Sequence, residues 1–141
     1  MRRLAIAAAS CLVLLAGCGG DEATTTSAED PIAAVTGAWE GVLHQKATAP
    51  FPVEVSINSS SDPAANVVRY GGAINCSGTW RYLGTDGSSV EFEEVIDSGQ
   101  GGRCKGRGSV TVTPDGAELD YEFSGGGVVS RGVLREAVSE Y

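Results

Sequence analysis

Phe51-Pro52-Val53-Glu54-Val55-Ser56-Ile57 decides the fold class. In an extended chain successive side chains point to opposite faces, so Phe51, Val53, Val55 and Ile57 share one face while Glu54 and Ser56 share the other. Strict alternation of this kind predicts a half-buried strand. Working outward, similar patterns recur over Trp39 to Gln45, Asn66 to Ala73, Cys76 to Leu83, Ser89 to Ile96, Gly108 to Thr113, Glu118 to Ser124 and Val128 to Val138. Glycine, proline, asparagine and aspartate punctuate them. Asp86-Gly87 and Pro114-Asp115-Gly116 supply the positive φ angles that tight hairpins need. No stretch carries a convincing helical period.

The expectation is an all-β domain of eight short strands. Adjacent antiparallel strands in a small chain are best served by an eight-stranded up-and-down barrel, because closure removes the exposed edges. A barrel of that size is filled by side chains or holds one small ligand. An open β-sandwich is the competing arrangement.

The N-terminal segment reads MRRLAIAAASCLVLLAGCGG. Arg2 and Arg3 precede an apolar run from Leu4 to Ala16, the pattern of a signal peptide. The run is shorter than the roughly 20 apolar residues that span a bilayer. Leu15-Ala16-Gly17-Cys18 resembles the lipobox of bacterial lipoproteins, which implies cleavage before Cys18 and lipid on its thiol. Paired acyl chains give a stable anchor where a single chain does not. Gly19 to Ala34 is mostly small and polar, a composition that reads as tether. The expected organisation is a signal peptide over 1–17, a lipid-anchored flexible tether over 18–35 and a barrel domain over 36–141, displayed on the outer face of the cell membrane. Without Arg2 and Arg3, eight basic residues face 18 acidic ones and the net charge falls from −8 to −10. Nucleic acid and anionic surfaces, which reward basic patches, are poor partners for such a domain. The partners expected are the membrane, through the acyl chains, and a small ligand or an envelope protein.

Cys76 and Cys104 remain in the exported part, where cysteines pair. A zinc site lacks ligands, since His44 is the single histidine and no Cys-x-x-Cys occurs. No metal or cofactor is expected. Catalysis finds little support, because His44 is the one candidate base of its type and no Gly-x-Ser-x-Gly elbow accompanies it. Glu91 and Glu93 alternate with Val90 and Phe92 and so belong on the solvent face. Glu94 has the parity of Val90, Phe92 and Ile96 and should point inward. A buried carboxylate needs a partner. An inward arginine on the last strand would serve, as a structural ion pair or as part of a ligand-contacting group.

In an up-and-down order, connections alternate between two rims. Cys76 opens the fourth strand and Cys104 precedes the sixth, so both belong to the rim away from the tether. Two strand spacings are about 10 Å, whereas a disulfide tolerates Cα separations up to about 7 Å. The glycine-rich connection from Asp97 to Gly106 must therefore lean toward the fourth strand. Arg103, Lys105 and Arg107, joined by Lys46, would then form a basic rim suited to an anionic ligand or a docking surface. The bland reading is a solvated loop.

Gly37-Ala38-Trp39 resembles the Gly-x-Trp signature of lipocalins and avidin-like barrels. That calycin-like resemblance implies that Trp39 closes the barrel floor with Arg131 or Arg135 against its ring, a cation–π contact. Gly37-Ala38-Trp39-Glu40-Gly41 with Gln45, then Tyr70, Cys76-Ser77-Gly78, Glu94-Val95-Ile96, Cys104, Leu119-Asp120-Tyr121 and Gly132-Val133-Leu134-Arg135, carry a longer likeness. Together they resemble the extracytoplasmic domain of some actinobacterial serine/threonine protein kinases, found alone in small lipoproteins. The resemblance implies a disulfide-bonded envelope domain with a sensing role. The function expected is a non-enzymatic ligand-binding or sensing barrel. The alternative is a protein-interaction module, or an acidic inhibitor of a basic envelope enzyme, without a cavity ligand.

Overall fold

The computed structural model describes residues 29–99, 104 and 106–139. The expected signal peptide, Cys18, most of the expected tether, Arg103 and Lys105 lie outside the described residues. Eight strands follow in order: β1 (Gly37–Gln45), β2 (Phe51–Ile57), β3 (Val67–Tyr70), β4 (Cys76–Asp86), β5 (Ser89–Ser98), β6 (Arg107–Asp115), β7 (Glu118–Gly125) and β8 (Val128–Glu136). Each pairs antiparallel with the next and β8 pairs with β1, giving a closed up-and-down barrel. The sandwich is excluded. β3 is shorter than expected because Asn66 follows a 3-10 turn over Pro63–Ala65 and Gly72 takes a left-handed φ of 59°. Gly87 and Gly116 adopt the positive φ that their hairpins demand, 60° and 62°.

Parity sets the core. Phe51, Val53, Val55 and Ile57 are buried while Glu54 between them is exposed. Leu43, Trp80, Phe92 and Leu134 are fully enclosed, and each such side chain stabilises the fold by about 1.5–3 kcal/mol on transfer from water. Closing the sheet brings β1 and β8 so near that Gly41 and Gly132 have no room for a Cβ. One would lie 2.4 Å from the carbonyl oxygen of Val133, the other 2.4 Å from that of Val42. Glycine in a strand interior marks such close approaches.

The end where β1 begins is stoppered. A 3-10 turn over Ala33–Val35 packs against β6, with Ile32 and Val35 fully buried. These two residues correct the expected boundary, since the folded unit starts inside the segment read as tether over 18–35. Their apolar side chains are too few to stand out in a polar stretch, yet the open barrel end buries both. Trp39 is half-buried against the core, and its Nε1 donates to the Val35 carbonyl at 2.9 Å, holding the stopper to the first strand.

The cation–π closure is overturned. Arg131 and Arg135 stand opposite His44 and Glu40 on the outer face, whereas Trp39 has the inward parity of Leu43. Inward positions on β8 belong to Ser130, Gly132 and Leu134. Both arginines instead pair across β7, Arg131 with Glu122 and Arg135 with Glu118, each at 2.7 Å. Exposed pairs of this kind contribute about 0–1 kcal/mol.

Asn66 also holds the stoppered end. It is buried, its Oδ1 accepts from the amides of Asn58 and Ser59, and its Nδ2 donates to the carbonyls of Ser59 and Trp80. Every polar atom of that amide side chain is thus satisfied, which fixes the β2–β3 connection.

Candidate functional site

The β1–β2, β3–β4, β5–β6 and β7–β8 connections gather at the other end, the mouth. There Cys76 at the start of β4 is disulfide-bonded to Cys104 in the β5–β6 connection, with Cα atoms 6.4 Å apart. Gly99 explains how that connection leans over. Its φ is +78°, and a Cβ on it would sit 2.5 Å from the Asn75 carbonyl and 2.8 Å from Cys76 Cα. Only a residue without a side chain lets the backbone cross the start of β4 so closely.

Beneath the mouth is a cavity of about 30 Å³, room for one or two waters or one small chemical group. Phe51, Ile96, Phe123 and Val128 wall it, and Tyr70, Glu94 and Tyr121 lie at its base. Gln45 and Ser130 tie β1 to β8 on its rim, Ser130 Oγ donating to Gln45 Oε1 at 2.8 Å. Below, the lower barrel is packed with rings: Trp80 lies 5.3 Å from Phe92 and 6.0 Å from Tyr121, centroid to centroid.

Glu94 points inward as expected and is 2 % exposed. Its expected partner is corrected. No basic residue lines the cavity among those described; instead the Tyr70 hydroxyl donates to Glu94 Oε2 at 2.5 Å and Trp80 Nε1 donates to the same oxygen at 2.9 Å. Tyr70 and Tyr121 hydroxyls are 2.6 Å apart. A phenol has one proton, and Tyr70 spends its own on Glu94, so Tyr121 is the donor in that pair. The chain of donation runs Tyr121 to Tyr70 to Glu94, and Tyr121 is left with lone pairs to accept from a guest. Both bonds to Glu94 fall on Oε2. Among the described residues Oε1 accepts no hydrogen bond.

Burial dominates the electrostatics. Desolvation pushes the Glu94 carboxyl above its ordinary range, and the Tyr70 and Trp80 hydrogen bonds pull it partly back. The Tyr70 hydroxyl is held well above its ordinary value by burial, then by its neighbours Tyr121 and Glu94. Tyr121 is raised likewise by burial and by Glu94, against a smaller opposing effect of its bond with Tyr70.

Of the other residues singled out in the sequence, His44, Lys46 and Arg107 are described. His44 is on the outer wall opposite Arg131. Arg107 does not join a basic rim: its guanidinium lies on the outer face, 3.0 Å from Glu93, which also receives Arg81 at 3.2 Å. Lys46 is exposed at the β1–β2 connection. Among the described residues no three His, Cys, Asp or Glu side chains come together as metal ligands. The sequence carries a signal for Tyr70 and Tyr121 that strand parity alone does not turn into a site. Both occupy inward positions beside Val68 and Phe123, and a buried tyrosine hydroxyl requires a partner.

Set against family models, curated proteins and solved structures, the chain finds no match. What the coordinates define is a class: a stoppered eight-stranded β-barrel with a polar pocket at its disulfide-bound mouth.

Proposed function

We propose that this chain is an exported bacterial lipoprotein, anchored through lipid on Cys18, whose barrel is a non-enzymatic receptor for a small group entering the mouth. The observation that carries the reading is the Tyr121–Tyr70–Glu94–Trp80 chain at the base of the cavity. A carboxylate and two phenols are costly to bury. A core serving stability alone is better filled by apolar side chains of similar volume. The tether leaves the stoppered end, which directs the mouth away from the membrane. The likeness to kinase-linked extracytoplasmic domains is compatible with a sensing role of this kind.

The cavity is too small for a whole metabolite. It takes a terminal group while the rest of the ligand stays outside, and that smallness favours a second reading, in which the mouth docks an envelope protein without any cavity guest. Native mass spectrometry of the lipoprotein extracted from its own membrane separates the two. Expected is an additional mass of a few hundred daltons or less that is lost on unfolding. A bare lipoprotein mass, or a bound polypeptide with an unoccupied mouth, overturns the receptor reading. In the same preparation, palmitate labelling that persists in Cys18→Ser overturns the anchor.

A further inference from the structure

The cavity presents acceptors and rings. Oε1 of Glu94 takes no hydrogen bond among the described residues, and the donation order leaves Tyr121 with free lone pairs. The rings of Phe51, Tyr70, Tyr121 and Phe123 line the same space. Aromatic faces are negative and attract cations. No basic side chain lines the cavity among the described residues, so none of these would offset the repulsion between an anionic guest and the buried carboxylate. Arg107, expected in a basic rim, is held on the outer wall by Glu93, and Arg103 and Lys105 lie outside the described residues.

Resting on the receptor reading above, we propose that the group admitted by the mouth is a small primary ammonium, whose N–H donors meet Glu94 and Tyr121 and whose carbon stem lies between Phe51 and Phe123. The size agrees, since about 30 Å³ admits one ammonium head and excludes a bulky quaternary one. The charge agrees too. An ammonium supplies a counter-ion that Glu94 does not find among the described residues, and two buried opposite charges need each other as well as hydrogen bonds for their remaining valences. Burial raises the Glu94 carboxyl above its ordinary range, so wherever that group still holds its proton an ammonium must displace it. Binding therefore strengthens as pH rises through that titration. It levels off once the carboxylate is formed.

The test uses the folded protein with n-butylammonium chloride, n-butanol as the uncharged isostere, sodium butyrate as the anion and tetramethylammonium as the oversized cation. Calorimetry and the rise in Tm report binding, since a ligand that binds only the folded state stabilises it by mass action. Expected is binding of butylammonium alone, tightening as pH rises above the ordinary carboxyl value of 4.5, and weakened about thirtyfold or more in Glu94→Gln, where one member of a buried charge pair is gone. Phe51→Leu, which leaves every hydrogen bond in place, should weaken butylammonium more than it changes Tm. A Gly-Lys-Gly tripeptide carries the same four-carbon ammonium. Equal or tighter binding of the tripeptide would identify a protein lysine as the source of the group, and binding of the free amine alone would identify a small molecule. If butanol or butyrate binds as well as butylammonium, or Glu94→Gln binds it unchanged, the ammonium proposal is wrong while the receptor reading stands. If none of the probes binds, the ammonium proposal is likewise wrong, and the guest retained in native mass spectrometry decides the receptor reading separately.

Discussion

Glu94 should make this domain more stable in mild acid than at neutrality, and Glu94→Gln should remove that dependence. The carboxyl's ordinary value is 4.5, and burial raises it in the folded protein. A raised value means that the folded chain holds the proton more tightly than the unfolded chain does. Below about pH 4.5 both states are protonated and the residue costs nothing. As pH rises from there toward the folded value, the unfolded chain gives up its proton and the folded one keeps it. Stability attributable to Glu94 then falls by about 1.4 kcal/mol for each pH unit. Above the folded value both states are ionised and the loss is complete. Glutamine retains an oxygen to accept from Tyr70 and Trp80 but carries no charge. Urea unfolding of both proteins at half-unit steps from pH 4 to pH 8 gives the difference curve, in which every other titrating group cancels. The expected curve is flat in acid, bends upward in favour of the variant near pH 4.5 with that slope, and then reaches a plateau. A flat difference throughout, or a wild type that gains on the variant as pH rises, refutes the reasoning. A flat curve would mean that the Tyr70 and Trp80 bonds balance desolvation, and a gain by the wild type that they outweigh it.

Three further outcomes are expected. Tyr70 and Tyr121 keep their protons above the ordinary phenol value of 10.0 while folded, so their contribution to stability is intact below that pH and is lost above it. Their phenolate absorbance at 295 nm should appear together with the loss of far-UV structure, and stepwise ionisation of both in the folded state would contradict the burial. Breaking the disulfide with Cys76→Ser and Cys104→Ser, which frees a loop of 28-residue separation, should lower denaturation free energy by about 3.6 kcal/mol on the loop-entropy model. A loss under about 1 kcal/mol by chemical denaturation would show that the connection is held by packing such as that of Gly99 on Cys76. Gly132→Ala places a methyl 2.4 Å from the Val42 carbonyl oxygen, a backbone atom that cannot turn aside. It should destabilise by about 1–3 kcal/mol or more, measured by thermal unfolding, while Gly116→Ala, with open space around it but a φ of 62°, should lose only about 1 kcal/mol.

How much was legible can be followed along β5. Val90, Phe92, Glu94 and Ile96 point inward and Glu91 outward because side chains alternate with period two, a local property that needs no knowledge of neighbours. The same rule, with the turn glycines, delivered eight strands and an up-and-down order. It also placed Cys76 and Cys104 at one rim, where they are bonded. Parity was sufficient even to exclude Arg131 and Arg135 from the interior, since Leu134 and Ser130 occupy the inward positions of β8; the Gly-x-Trp likeness suggested otherwise. What parity does not contain is stagger. Which inward residues of separate strands stand at one height depends on the tilt and register of the closed sheet. Only that geometry brings Tyr70, Trp80 and Tyr121 to Glu94 from 24, 14 and 27 residues away. It also presses β1 onto β8 at Gly41 and Gly132, and opens an apolar end that draws Ile32 and Val35 out of a polar segment. The sequence by itself therefore determined the strands, their faces and the inward carboxylate, because these follow from the covalent geometry of one extended chain. The tertiary structure alone decided what that carboxylate touches, the Tyr70 hydroxyl and the Trp80 indole, because those contacts exist only once all eight strands have closed in register.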